Sequence, residues 1–161
     1  MNISIGRHLA SPLALSVALV GFGASTASSA DVPHYGCKGS WIGSSDVRHK
    51  RFGTVFGEVR YYYSKSTKKV CVVTVKNRAG SKGTSTYMSA TIWKCSTGTK
   101  PLKKCTNVDS SARDTGAYKN QTHPIYLRPA KHCIEIDAGI ENKDGYLAQY
   151  SSVAIFCKSL G

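Results

Sequence analysis

Thr54-Val-Phe-Gly-Glu-Val-Arg-Tyr-Tyr-Tyr63 runs into the polar turn Ser64 to Lys68 and then into Lys69-Val-Cys-Val-Val-Thr-Val-Lys76. In the first run Val55, Val59, Tyr61 and Tyr63 alternate with Phe56, Glu58, Arg60 and Tyr62. That period of two belongs to a strand with one buried face. The second run is apolar on both faces, so it reads as an inner strand covered on both sides. Two such runs joined by a short polar turn form an antiparallel hairpin, and the rest of the chain follows the same grammar.

Downstream, Arg78-Ala-Gly-Ser-Lys-Gly83 turns the chain into Thr84 to Lys94, where Met88, Ala90 and Ile92 alternate with Tyr87, Ser89, Thr91 and Trp93. Pro124-Ile-Tyr-Leu-Arg128 is a short strand opening on a proline, which suits a strand start or an edge. His132 to Ile140 alternates again, and Tyr146 to Lys158 ends the domain. Asp109 to Gln121 is polar and reads as a loop with room for one helical turn. Gly, Ser and Thr punctuate the chain at the spacing of short strands, and no segment sustains a helical period. The expected fold is all-β: a single disulfide-stapled antiparallel β-sandwich or barrel-like domain of seven or eight strands.

Residues 1–30 read differently. Arg7 and His8 precede an apolar stretch from Leu9 to Ala24, which ends in Ser25-Thr-Ala-Ser-Ser-Ala30. This is the layout of a secretory signal peptide, with cleavage expected after Ala30 and a secreted β domain over 31–161. The apolar stretch is too short and too interrupted for a membrane span, so no membrane insertion is expected. The expected product is a secreted monomer at an extracellular or spore surface.

All six cysteines (Cys37, Cys71, Cys95, Cys105, Cys133, Cys157) follow Ala30, and none are spaced as Cys-x-x-Cys. An even number in an exported chain indicates three disulfides. Cys95 and Cys105 flank a polar excursion, and a bridge between them would pin a basic finger. Cys71 and Cys133 lie within strands and are expected to staple two of them, leaving Cys37 and Cys157 to tie the ends. Six cysteines admit many other connectivities.

The chain carries 22 Lys and Arg against 9 Asp and Glu. Such an excess favours anionic partners. The cations concentrate near presumed turns: His49-Lys50-Arg51, Lys65, Lys68 and Lys69, and the finger with Lys100, Lys103 and Lys104. If two of those tips share one end of the domain, they form an anion-binding patch. Lys68, Lys69, Lys103 and Lys104 are the candidate polyanion-binding residues. Tyr61, Tyr62, Tyr63 and Trp93 offer neighbouring stacking surfaces.

Catalytic chemistry finds little support. The chain has no Gly-x-Ser-x-Gly elbow, no His-Glu-x-x-His zinc motif and no odd thiol, so no catalytic residue, metal or cofactor is assigned. Ile140-Glu-Asn-Lys-Asp-Gly145 places Asn, Asp and Gly as a calcium loop would, but Ile140 stands where the first carboxylate is needed. It reads as a hairpin turn on Asp144-Gly145. A secreted nuclease or other hydrolase is the alternative, with His49 or His123 as base beside Glu58 or Glu135. A small antimicrobial, inhibitor or sugar-binding protein is a further alternative.

Cys71-Val-Val-Thr-Val75, Tyr87-Met-Ser-Ala90, Asp114-Thr-Gly-Ala-Tyr118, Pro124-Ile-Tyr-Leu127 and His132-Cys-Ile-Glu-Ile136 resemble, in order and spacing, the spore-associated protein A family. These are small secreted proteins of filamentous, spore-forming bacteria. The resemblance covers about residues 53 to 157 and rests on structural motifs. It implies a compact, disulfide-bonded extracellular protein found with aerial hyphae or spore surfaces, and it carries over no functional residue. The pair Cys95 and Cys105 and the strong basicity depart from that family's pattern. The expected function is non-enzymatic association with anionic cell-wall or spore-surface polymers.

Overall fold

The computed structural model describes residues 34–157. The expected signal peptide with its cleavage point after Ala30 lies outside these residues, as does Lys158 at the end of the last expected strand. The described residues contain no helix. They form β1 (Ser40–Arg48), β2 (Val55–Ser64), β3 (Lys69–Lys76), β4 (Thr86–Cys95), β5 (Val108–Tyr118), β6 (Ile125–Leu127), β7 (Ile134–Glu141) and β8 (Leu147–Ser151). All eight belong to one antiparallel sheet in the order β5-β4-β7-β8-β1-β2-β3-β6, curled into a nearly closed barrel. The barrel-like alternative is the one observed.

Edge strands β5 and β6 face each other across the seam, and side chains bridge it. Asp114 Oδ2 accepts the backbone N–H of His123 at 2.8 Å, and the Tyr118 hydroxyl donates to Asp114 Oδ1 at 2.8 Å. A carboxylate thus takes a donor that a ladder would otherwise satisfy.

Alternation fills the interior. Val59 and Tyr61 of β2, Val70 and Val72 of β3, Met88, Ala90 and Ile92 of β4, and Ile134, Ile136, Ala138 and Ile140 of β7 make one core. Phe56 breaks the alternation and joins this core. Val47 pairs with Gly57 and Arg48 with Val55, so Phe56 is the extra residue of a β-bulge.

β3 is apolar on both faces because it has two covers. Its outward residues Cys71, Val73 and Val75 pack with Tyr62, Cys37 and Tyr35 beneath the incoming segment 34–39. Gly39 lets that segment lie so close: at φ +111°, a Cβ would stand 2.4 Å from the Tyr63 carbonyl oxygen.

Two of the expected disulfide pairings are corrected. The bridges are Cys37–Cys71, Cys95–Cys105 and Cys133–Cys157. Cys71 points outward under segment 34–39, while Cys133 lies just before β7, and β8, β1 and β2 stand between β7 and β3 in the sheet order. Cys71 is therefore turned away from Cys133 and meets Cys37.

One further expectation fails, and one strand goes unannounced. Asp109 to Gln121 is not a loop, because most of it lies in the eleven-residue strand β5. β1, ahead of Thr54, is a strand that the sequence pattern does not announce. Both strands are largely exposed, so they lack the apolar alternation that marks a half-buried strand. The turn on Asp144-Gly145 forms as expected: the Asn142 side-chain oxygen accepts N–H from Asp144 and Tyr146, and Gly145 has φ +80°.

Antiparallel order sorts the connections into two ends. β2, β4, β6 and β8 all finish at one end, which carries residues 65–68, 96–107, 128–133 and 152–157. The opposite end carries 49–54, 77–85, 119–124 and 142–146.

Candidate anion-binding cleft

The two lysine-bearing tips both fall at the first end. Lys65, Lys68, Lys100, Lys103, Lys104, Arg128 and Lys131 lie on its connections, Lys69 begins β3, and these connections contain no Asp or Glu. Arg128 donates to the Thr67 carbonyl at 3.1 Å, tying the connection after β6 to the β2–β3 turn. The finger is pinned by Cys95–Cys105 and laid against the C-terminal segment, with N–H of Leu102 to Ala154 O at 3.0 Å and N–H of Ala154 to Lys103 O at 2.7 Å. Cys133–Cys157 staples that segment to the start of β7. Lys68 and Lys131 both adopt positive φ, +54° and +68°. Non-glycine residues keep that conformation only where the surroundings fix the loop.

Between the finger and residues 130–133 lies a cavity of about 560 Å³, lined in part by Thr97, Thr99, Lys100, Lys131 and His132. His132 Nδ1 lies 2.9 Å from the Cys95 carbonyl oxygen. A carbonyl only accepts, so Nδ1 carries the hydrogen. Asp109 Oδ2 stands 3.3 Å from the same nitrogen, and Lys94 Nζ is 3.8 Å from that oxygen. The ring is therefore oriented by its Nδ1 edge, and Nε2 has no partner among the described residues. The cavity offers two ammonium groups, hydroxyls and an imidazole, a donor-rich set suited to phosphate or carboxylate oxygens.

All four candidate residues are exposed at this end. Lys104 differs in being bonded. Its ammonium bonds Glu135, the Ser151 hydroxyl and the Ser152 carbonyl. Glu135 is only 3% exposed and also accepts N–H of Cys105 at 2.9 Å. Lys104 neutralises a buried carboxylate, and three partners consume its donors. Lys131 and His132, which line the cavity, are absent from the four candidates. Their charge and ring chemistry are legible in the sequence, but their position beside the finger is not.

The histidine–carboxylate pairs expected of a nuclease do not form. Glu58 bonds Arg60 at 2.5 Å, and Glu135 bonds Lys104. His123, 78% exposed at its side chain, stands by Asp114 instead, and His49 stacks on Phe52 at 4.6 Å between ring centroids. Asp46 and Glu58 are cross-strand neighbours, but each is bonded to an arginine two residues on, Arg48 and Arg60. Cys95, Cys105 and Glu135 lie within 4.8 Å of one another. Both sulfurs belong to the disulfide and offer no thiolate to a metal.

Fold and site together define an all-β, disulfide-stapled barrel with a cationic cleft at one end. No protein-family model matches the chain, and no curated protein or solved structure matches it either.

Proposed function

We propose that the protein is a non-enzymatic exported binding protein that holds anionic polymers of a spore or cell envelope at its cationic end. One observation carries this reading: basic connections distant in sequence share one end of the barrel, two of them, 96–107 and 128–133, enclosing a cleft, and these connections contain no acidic residue. Spore-surface association rests in addition on the family resemblance noted above. Polymer binding of this kind is driven by release of counterions and lacks sequence preference. With about four phosphates neutralised, log affinity for duplex DNA, used as a model polyanion, should fall against log salt with a slope near roughly −3.6. Replacing Lys68, Lys69, Lys103 and Lys131 by Gln should flatten that slope while leaving the unfolding midpoint nearly unchanged, as measured by fluorescence anisotropy and urea titration. A slope that survives the fourfold replacement, and survives Lys100→Gln added to it, would remove this end from the binding surface.

A second reading has one observation behind it. His132, oriented by Asp109 and the Cys95 carbonyl, lines the same cleft as Lys100 and Lys131, an arrangement in which Nε2 can act as a general base on a phosphodiester. Turnover of RNA by purified protein that disappears in His132→Ala would replace binding with hydrolysis as the function.

A further inference from the structure

The opposite end of the barrel carries exposed aromatic rings on its turns, which the connections of the cleft end do not. Phe52, on the β1–β2 turn, is 55% exposed, and Tyr146, on the β7–β8 turn, is 48% exposed. β1 and β8 are neighbours in the sheet, so the two turns sit side by side, and the rings meet edge to face at 5.7 Å and 88°. They are held from beneath. The His49 ring stacks under Phe52 at 12°, packs against the buried Phe56 at 5.9 Å and meets Tyr146 at 5.7 Å. Its Nδ1 also accepts the Phe52 N–H at 3.2 Å. Leu147, 41% exposed, continues the apolar surface down β8.

Cations outnumber acids at this end. Lys50 and Arg51, Arg78 and Lys82, Lys119, and Lys143 lie on its four connections, against Asp144 and, at the end of β7 beside Gly145, Glu141. Arg51 also lies over the Phe52 ring, 5.4 Å from its centroid. The N–H of Lys143 donates to Ser81 Oγ at 3.0 Å, which joins the β7–β8 turn to the β3–β4 connection.

We propose that this end seats the protein on anionic lipid bilayers, with Phe52 and Tyr146 entering the interface and the surrounding lysines and arginines contacting headgroups. Charge complementarity selects the occupant. Six cations against Asp144 and Glu141 repel a second copy of the same surface and favour a dense negative plane. Perpendicular rings provide no shared flat platform for a sugar face, whereas aromatic side chains rimmed by cations suit the headgroup level of a bilayer. The rings are already fixed by His49, so little side-chain freedom is lost on contact. The seating is peripheral: among the described residues no helix is long and apolar enough to cross a membrane.

The test uses the exported protein, from Asp31 onward, and co-sedimentation with phosphatidylcholine vesicles, with and without phosphatidylglycerol. Pelleting should require phosphatidylglycerol. The double variant Phe52→Ser, Tyr146→Ser should bind about tenfold more weakly. The triple variant Lys50→Gln, Arg51→Gln, Lys143→Gln should lose binding on the order of a hundredfold. An independent readout that keeps the apolar tip is Phe52→Trp with Trp41 and Trp93 replaced by Phe, whose emission should shift to the blue on phosphatidylglycerol vesicles and be quenched by brominated lipid. Emission from the Phe52→Trp variant that does not shift, or no pelleting with phosphatidylglycerol, overturns the proposal. So does pelleting that ignores both tip variants and disappears when Lys68, Lys69, Lys103 and Lys131 are replaced, because the cleft end would then be the lipid-facing one.

Discussion

The two ends of the barrel carry the same sign of charge and are built by different means. The cleft end is held by two disulfides and hollowed by a cavity. The other end has no disulfide among its connections and is organised by stacked rings. Each also buries one ionised group. At the cleft end the buried Glu135 is neutralised by Lys104 from outside. At the aromatic end the buried Lys76 donates to three neutral oxygens, the Thr84 carbonyl, Thr86 Oγ1 and the Tyr118 carbonyl. Net charge alone therefore does not assign a partner; what accompanies the charge decides whether an end suits a soluble polymer or a lipid surface.

The staples are where the difference should show most. Replacing Cys95 and Cys105 by Ser should cost about 3 kcal/mol if loop-closure entropy governs, and the Cys133–Cys157 pair a comparable amount. Hydrogen exchange should accelerate at the N–H groups of Ser96, Leu102 and Ala154 while those of Gly53 and Gly145 at the aromatic end stay protected. Equal acceleration at both ends would mean that the barrel responds as one unit and that the contrast in construction has no energetic meaning.

A smaller effect separates two adjacent lysines of the finger. Lys104→Ala leaves the Glu135 carboxylate buried without its counterion and should cost about 2 to 3 kcal/mol in urea unfolding, below the full value for a buried pair because the lysine itself is half exposed. Lys103→Ala should cost less than about 0.5 kcal/mol. Equal costs would show that the Glu135 contact does not engage Lys104.

The smallest effect is a pH dependence of stability set by one buried group nearer each end. Burial lowers the Lys76 ammonium below its ordinary value, and the field of Glu141 opposes that only in part. The unfolded chain therefore binds this proton more tightly than the folded one, so stability should rise with pH between the depressed folded value and the unfolded value of 10.5. Tyr61 works in the opposite sense. Burial raises its phenol above the ordinary value of 10.0, the bond to Ser45 offsetting part of the rise. The unfolded state loses the tyrosine proton first, so stability should fall once pH exceeds the unfolded tyrosine value. Chemical unfolding across alkaline pH should show the rise vanish in Lys76→Met and the later fall soften in Tyr61→Phe. A rise that persists in Lys76→Met would assign it to another group.

Strands that bury one face can be read directly, as with the hairpin from Val55 to Lys76 and the alternation of Met88, Ala90 and Ile92. β5 cannot, because an edge strand with one ladder partner and a solvent-facing side needs few apolar residues; only once its pairing is known do Ala112, Asp114, Gly116 and Tyr118 mark its inward face. The finger bridge is legible because Cys95 and Cys105 enclose a short excursion. Cys37–Cys71 is not, since it depends on which face of β3 the cysteine occupies and on what covers that face.

By itself, the sequence determined the all-β class, the presence of enough cysteines for three bridges, the strong positive charge and its concentration in turns, all of which are properties of local periodicity and composition. Only the tertiary structure decided that Lys68, Lys103 and Lys131 share one end, that Lys104 is spent on Glu135, and that Phe52 and Tyr146 meet at the other. Those facts follow from strand order, which brings together connections far apart in the chain and is set by how eight strands bury a common interior.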